Sequence, residues 1–588
     1  MGKVELNLID IDENGERYSI RVYIPMNLGF IENVRFILDD VDIYNMSYLC
    51  KEGDYAVFEL EKYFSTKAIY HFYFKFFANG IEKVFDESFS MGVNFKTPKW
   101  THGKMMYHIF VDRFNKDKDL KPFKNRFIHE NWDEDIITGP DENGFWNTDF
   151  YGGSLRGIIN KLSYIQSLGI DILYLSPIFY SQSNHRYDTS DYELIDPYLG
   201  DEGDLIKLCD ECHKRGMHII LDAVFNHTGN DSKYFNEYFN FDTLGAHNSE
   251  LSEYYDFYRK KDDGFEYWWG MKNLPVCDGN SPHWQDYIYG EGGIIDKWFK
   301  CGIDGLRLDV ADELTDEFIE GIRSAVKRNK EDGFILGEVW KNPMRMNRGY
   351  ISSGKGMDSV MNYQLVDALI RYFKYADVYR IKEVLNELKF EYPKETLFSL
   401  MNFTSTHDIS RAINIFGSDR FKKDGEWAWN LYDEDYEKSR VFKLSDYEYE
   451  KGKKLFKIYL FTLTFLPGIL SIFYGDEIGM EGEGNLYNRK AFTWDKIDYD
   501  LLGYFKMIGN IRKEEDYSEA EFNPLEINEN ILSFERVSDM YKYETIVNRT
   551  DGDLKIDLPS NFDKVYSLNS NGSVLMPYGG ITIRKNSK

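Results

Sequence analysis

Cysteine is scarce: there are five in 588 residues, an odd count that excludes a disulfide framework as the source of stability. Positive charge is also in deficit. Lys and Arg total 71 against 99 Asp and Glu, a net charge of −28 with His neutral. A field of that sign repels phosphate backbones and anionic membrane surfaces, both of which are bound through clustered Lys and Arg. The opening residues lack a basic n-region followed by an apolar h-region, and Leu6 stands where a myristoylation signal needs Ser or Thr. Long uninterrupted apolar runs are missing too. The most apolar stretch, Ile458 to Tyr474, is cut by Pro467-Gly468 and reads as a buried helix, a turn and a buried strand. These absences lead us to expect a cytoplasmic protein with a neutral ligand, bound to neither nucleic acid nor membrane.

What is present suits large cores. The chain is 43% hydrophobic and 29% charged, and its length allows about three domains unless one is a large α/β barrel. Aromatic residues reach 17%, either as core filling or as stacking surfaces for flat, weakly polar ligands such as sugars. Cys209-Asp210-Glu211-Cys212-His213 matches a haem-attachment pattern. Leu205, Leu208, Cys209 and Cys212 recur at helical spacing, however, so these cysteines read as small apolar residues on a buried helix face.

The rhythm of the chain changes twice. Tyr18–Ile24, Val34–Leu38, Ala56–Leu60 and Ile69–Phe77 are short β-rich runs, predicting an N-terminal β-sandwich over residues 1–98. From Met106, strand, loop and helix alternate. Candidate strands are Met106–Val111, Ile172–Leu175, His218–Asp222, Gly305–Asp309, Phe334–Glu338, Ser359–Asn362, Leu397–Asn402 and Ile469–Tyr474. Eight strands with helical crossovers predict an α/β fold, a (β/α)8 TIM barrel over 99–517. Some sixty residues rich in Tyr, Trp, Asp and Asn follow the third strand, predicting an inserted subdomain at about 228–290. Short strands return after Tyr517, predicting a C-terminal β-sandwich over 518–588.

In such barrels the reacting groups sit at the C-terminal ends of the strands. Here the third strand ends in Asp222-Ala223-Val224-Phe225-Asn226-His227, the fourth in Arg307-Leu308-Asp309, and the fifth in Glu338-Val339-Trp340. The seventh runs into Thr406-His407-Asp408. An Asp at one strand end is usually a helix cap; four acidic strand ends around one mouth, with Arg and His beside them, are not explained that way. Arg307 and Asp309 are two apart, so both project to one face, where the Arg would hold Asp309 ionised as a nucleophile. Glu338, between Gly337 and Trp340, is expected in an apolar setting that keeps it protonated as an acid. Two carboxyls in different protonation states are the equipment for breaking a glycosidic bond.

With these motifs in place, the chain resembles glycoside hydrolase family 13, the α-amylase family, and within it the neopullulanase, cyclomaltodextrinase and maltogenic amylase group. Tyr107–Phe114, Phe150-Tyr151-Gly152-Gly153, His185-Arg186-Tyr187-Asp188, Gly475-Asp476-Glu477 and Asn488-Arg489 also stand in the family's order. Trp268-Trp269-Gly270-Met271 and Asp312-Glu313 carry the likeness to the subgroup, although Leu306 and Asn485-Leu486 depart from it. The resemblance implies Asp309 as nucleophile, Glu338 as acid/base and Asp408 as the third carboxylate. It also implies sugar binding by Tyr187, Asp222, His227, Arg307, His407 and Arg489. The implied activity is retaining hydrolysis of α-1,4-glucans, whether maltodextrin, cyclodextrin, pullulan or starch, with a carboxyl separation of about 5–5.5 Å. No cofactor is required for that chemistry.

Other readings stay open at this stage. The same residues serve a glucan transglycosidase or isomerase, and a non-catalytic glucan-binding homologue would keep the fold. Asn115, Asp117 and Asp119 form either a calcium site, with Ser154 where relatives supply an Asp, or an ordinary Asx-rich loop. Relatives use the N-terminal domain for subunit contact, so a homodimer is expected. Tyr70–Phe77 should present one ring-rich face to the sandwich core and leave the other free.

Overall fold

Sheets at both ends of the chain flank a central parallel barrel in the computed structural model. It describes all residues except 1–2, 13, 66–67, 86, 94, 122, 124–125, 143, 263, 347, 352, 433–442, 560 and 588. Near the N-terminus, Lys3–Asp12, Gly15–Pro25, Tyr55–Phe64 and Ser47–Glu52 form one antiparallel sheet. Asp42–Asn45, Ile31–Leu38, Ala68–Ala78, Ile81–Val84 and Phe89–Val93 form a second. Strand alternation sends Phe72, Phe74 and Phe76 into the shared core with Val22, Ile24 and Phe36, while Tyr73, Lys75 and Phe77 on the other face are only half-buried.

Eight parallel strands build the centre. In chain order they are Met105–Ile109, Ile172–Leu175, His218–Ala223, Gly305–Leu308, Phe334–Gly337, Ser359–Val360, Met401–Phe403 and Ile469–Phe473. The first strand pairs with the second and the eighth, and a parallel bridge from Met361 to Met401 closes the ring between the sixth and seventh. Both faces of such strands are covered, which is why they read as continuous apolar runs such as Ile-Leu-Tyr-Leu. One expected strand differs. Leu397–Ser399 end a short helix, Lys394–Ser399, and the seventh strand starts only at Met401. Leu397 and Phe398 are apolar because that helix is buried, and periodicity cannot separate a buried turn of helix from a strand.

The crossover helices start where short polar side chains can cap them. Ser154 accepts from Gly157 N at the head of Leu155–Ser167, and Asp201 forms a capping box on Glu202–His213. Each cap stabilises its helix by about 1 kcal/mol. Cys209 and Cys212 face the core from the second of these helices, and His213 turns instead to Asp304 at 2.9 Å. Among the described residues no three His, Cys, Asp or Glu side chains converge as a metal site would require.

The inserted segment after the third strand ties itself to the barrel mouth through a bridge from His227 to Val276 and a hydrogen bond from Cys277 N to Asn226 O at 2.9 Å. Its rings Tyr234, Phe235, Phe257 and Tyr258 are buried, so part of its aromatic density is core, while Phe239 and Trp269 are exposed. After the helix Tyr499–Glu514 the chain enters an antiparallel sheet of six strands. Its final strand, Val574–Asn586, pairs with three others, and Leu575, Ile581 and Ile583 make a small core of their own. Among the described residues no helix is long and apolar enough to cross a membrane.

Candidate active site

Ladder hydrogen bonds running past the strand ends place the acidic groups. Asp309 N donates to Ala223 O at 3.1 Å, and Glu338 N to Leu308 O at 2.9 Å, so the fourth and fifth strands deliver both residues at one level. Gly337 is required just before the acid: a Cβ there would lie 2.1 Å from Met357 Sδ. Val310, after Asp309, adopts φ 47°, a left-handed conformation that costs a β-branched residue roughly 1–3 kcal/mol. The conformation aims Val310 N at Glu338 Oε2, 3.0 Å away.

At the centre lies Arg307, fully buried. Its Nη1 donates to Asp309 Oδ1 at 2.7 Å and to Asp222 Oδ1 at 2.8 Å. Its Nη2 forms an ion pair with Glu338 Oε2 at 2.9 Å, without hydrogen-bond alignment. Asp222 Oδ2 accepts from Tyr187 at 2.7 Å and from Tyr174 at 2.6 Å. Asp408 stands across from this group, its Oδ2 3.0 Å from His407 Nε2 and its Oδ1 3.4 Å from Arg489 Nη2. The Tyr187 ring stacks on His407, with centroids 4.9 Å apart and planes 10° apart. His227 Nε2 lies 3.1 Å from Tyr187 O, and its ring stacks on Trp268. All nine residues singled out from sequence therefore converge at one mouth.

Two electrostatic expectations need correcting. Arg307 does not serve Asp309 alone: its charge is divided among three carboxyls. Burial pushes the Asp309 carboxyl well above the usual range, and the charges of Glu338 and Asp222 add to this against the opposition of Arg307. Burial raises Asp222 as well. One cation faces two raised carboxyls, Asp222 and Asp309, so their titrations depend on one another. Nor is the setting of Glu338 apolar. Its oxygens face the Trp340 indole N–H at 3.0 Å, the Val310 N–H and Arg307. The spacing of Trp340 from Glu338 was visible in sequence, but not that the indole presents its polar edge. His227, lowered to about 4 by burial, and His407, held well below its usual value by burial and by neighbouring positive charge, are neutral hydrogen-bonding groups.

Sequence reasoning missed Tyr174 and His108. Both lie inside apolar strands, Tyr174 bonding Asp222 and His108 stacking on Tyr174 at 4.1 Å. A lone polar-tipped ring on the inward face of a core strand was the available signal. It missed Glu313 as well, whose carboxylate accepts from the indoles of Trp268 at 3.1 Å and Trp269 at 3.0 Å.

The residues considered for calcium are bonded to one another and to neighbouring groups. Asp119 is exposed and ion-paired with Lys116 at 2.8 Å, and Asn115 spends its amide on Gly157 O. Ser154 Oγ donates to Asp117 at 2.5 Å while it caps its helix. A site for that ion needs six to eight converging oxygens.

Known proteins agree with this architecture. The family description "Alpha amylase, catalytic domain" matches residues 108–427. The intracellular maltogenic amylase of Bacillus subtilis strain 168 is 31% identical over 483 residues, covering 80% of this chain and 70% of that protein. An amylopullulanase of Thermoanaerobacter thermohydrosulfuricus is 35% identical over 471 residues, 72% of this chain. The chain spans about a third or less of the length of the three amylopullulanases it matches (30%, 24% and 35%). Among solved structures, the type III pullulan hydrolase of Thermococcus kodakarensis superposes with a TM-score of 0.70 at 22% identity, covering 99% of this chain and 100% of that one. The fold is a parallel barrel with carboxyls gathered at the C-terminal ends of its strands. The chain belongs to the α-amylase family.

Proposed function

We propose that this protein is a retaining α-glucan hydrolase that cleaves α-1,4 bonds in maltodextrins, cyclodextrins, pullulan or starch. The observation that carries the reading is the single buried guanidinium of Arg307 touching Asp222, Asp309 and Glu338 together. It keeps the attacking and proton-donating carboxyls close, as a double displacement requires. Asp309 attacks the anomeric carbon while Glu338 protonates the departing oxygen; Glu338 then takes a proton from water, which breaks the covalent intermediate. Asp408, His407, His227 and Arg489 hold sugar hydroxyls, and Tyr187 supports the ring at the cleavage point.

The experiment is proton NMR of a digest of maltoheptaose or β-cyclodextrin. The α-anomer appears first if the reading holds; the β-anomer appearing first would exclude a double displacement. Chromatography of products from amylose, pullulan and β-cyclodextrin then identifies the preferred glucan. Trp269, 81% exposed beside Trp268, offers a surface for an acceptor sugar, so the same digests are repeated with added maltose to measure transfer.

The reading also sets a pH dependence. Burial, and then the charge of Glu338, push the Asp408 carboxyl up to about 6, with Arg489 and Arg307 opposing. A protonated Asp408 is a weaker acceptor for sugar hydroxyls and presents an O–H in place of one acceptor site. The acid limb of kcat/KM is therefore expected near pH 6. Arg489→Ala removes an opposing cation and should move that limb to higher pH; a limb that stays put would separate it from Asp408.

A cytoplasmic location is supported by the naming of the Bacillus subtilis relative as intracellular. A homodimer through the N-terminal sheets is supported by exposed apolar side chains on both edge strands, Ile43 at one and Ile81 at the other.

A further inference from the structure

After the short helix Ala412–Gly417, and before the helix Asp446–Phe465, the chain makes an excursion that the proposed chemistry does not use. Its described part is strapped to the helix Tyr363–Tyr375. Arg371 donates to the carbonyls of Lys423 at 2.9 Å, Gly425 at 2.8 Å and Glu426 at 3.1 Å. Asp367 pairs with Arg371 and accepts from Ala428 N at 2.7 Å. Lys374 donates to Ser418 O at 2.6 Å, and Tyr375 to Phe421 O at 3.0 Å. Four side chains spaced along one helix face thus fix where Trp427-Ala428-Trp429 sits.

The place is specific. Trp427 and Trp429 stack on one another, with centroids 5.2 Å and planes 8° apart. Their rings meet Trp340 nearly edge-on, at 5.5 and 6.1 Å. The Trp340 ring itself stacks on Tyr363 at 4.0 Å and 11°, and its carbonyl accepts from Gln364 Nε2 at 2.6 Å. Boxed on these sides, the indole keeps one orientation, and in that orientation its N–H points at Glu338 Oε1. Trp429 is 7% exposed and Trp427 half-buried, so Trp429 has no face to offer a sugar.

We propose that Trp427 and Trp429 are positioning residues for Glu338: they pin the Trp340 indole, whose N–H holds the Glu338 carboxyl toward the bond being broken. The proposal rests on the reading of Glu338 as proton donor. Displacement of a reacting group by about 1 Å costs up to about 100-fold in rate, whereas substrate binding is unaffected by the angle of one carboxyl.

The test compares full-length Trp429→Ala, Trp429→Phe, Trp427→Ala and Trp340→Phe on maltotriose and on an aryl α-maltoside with a highly acidic phenol as leaving group. Trp429→Ala and Trp427→Ala should lower kcat on maltotriose by about 10- to 100-fold with KM nearly unchanged. On the aryl substrate, whose departure needs little protonation, the first-turnover burst of phenol should slow by less than about 3-fold. Trp429→Phe should restore most of the loss, and Trp340→Phe, which keeps a ring but lacks the N–H, should reproduce it. Equal losses on both substrates, a rise in KM with kcat retained, or a Trp340→Phe enzyme of normal activity would each overturn the proposal. Should Trp429→Ala fail to fold, the half-buried Trp427→Ala carries the same comparison. Glu338→Gln run beside them separates the two ideas. If it also loses the burst on the aryl substrate, the donor assignment fails; if it keeps the burst and the tryptophan variants do not, only the positioning role fails.

Discussion

Asp309→Asn is expected to lower kcat/KM on maltotriose by about four orders of magnitude or more, at least ~5.5 kcal/mol of barrier. The amide is nearly isosteric with the carboxyl and still accepts from Arg307 at the Oδ1 position, so circular dichroism and melting temperature should stay close to those of the parent. What disappears is the nucleophile. An amide does not form the covalent glycosyl intermediate, and no other carboxyl can take over, because Asp222 is held below the mouth by Tyr174, Tyr187 and Arg307. The substitution also removes one of the three carboxyls that share the charge of Arg307. Near-normal hydrolysis by this variant would falsify the assignment of Asp309.

Glu338→Gln should fail differently. On maltotriose the loss is expected at about 10³- to 10⁴-fold, the range for removing a general acid. On an aryl α-maltoside the first step needs little proton donation, so the phenol should still be released in a burst equal to the enzyme concentration. Turnover then stalls, because water attacking the intermediate has lost its base. Azide, which needs no deprotonation, should restore steady release and yield a glycosyl azide of retained configuration. Stopped-flow absorbance reads the burst, and NMR reads the azide product. A variant with neither burst nor azide rescue would assign Glu338 a role other than acid/base. The gradation between Asp309 and Glu338 distinguishes a nucleophile from a proton donor, which touch the same guanidinium and are alike in burial.

Much of the site was legible in one dimension because a parallel barrel converts strand order into spatial convergence. Asp222, Arg307, Asp309, Glu338 and Asp408 lie far apart in the chain, yet each stands at or just beyond the C-terminal end of a strand, and the eight ends meet at one mouth. The two-residue spacing of Arg307 and Asp309 likewise anticipated their 2.7 Å contact, since strand periodicity puts both on one face. The helix starts at Ser154 and Asp201 are set locally too, by a side chain and a backbone N–H three residues apart.

What tertiary structure alone decided is how charge and orientation are shared. Sequence spacing pairs Arg307 with Asp309, but only the packing of the third and fifth strands against the fourth divides that guanidinium among Asp222, Asp309 and Glu338 and raises the Asp222 and Asp309 carboxyls. The polar edge that Trp340 shows to Glu338 depends on a rotamer fixed by Tyr363, Trp427 and Trp429, which come from elsewhere in the chain. The seventh strand was misplaced by three or four residues because local apolarity reports burial, and burial is common to the helix Lys394–Ser399 and the strand Met401–Phe403. Local pattern determines which residues reach the mouth of this barrel. Long-range contacts, which have no periodicity in sequence, determine which proton or partner each of them holds.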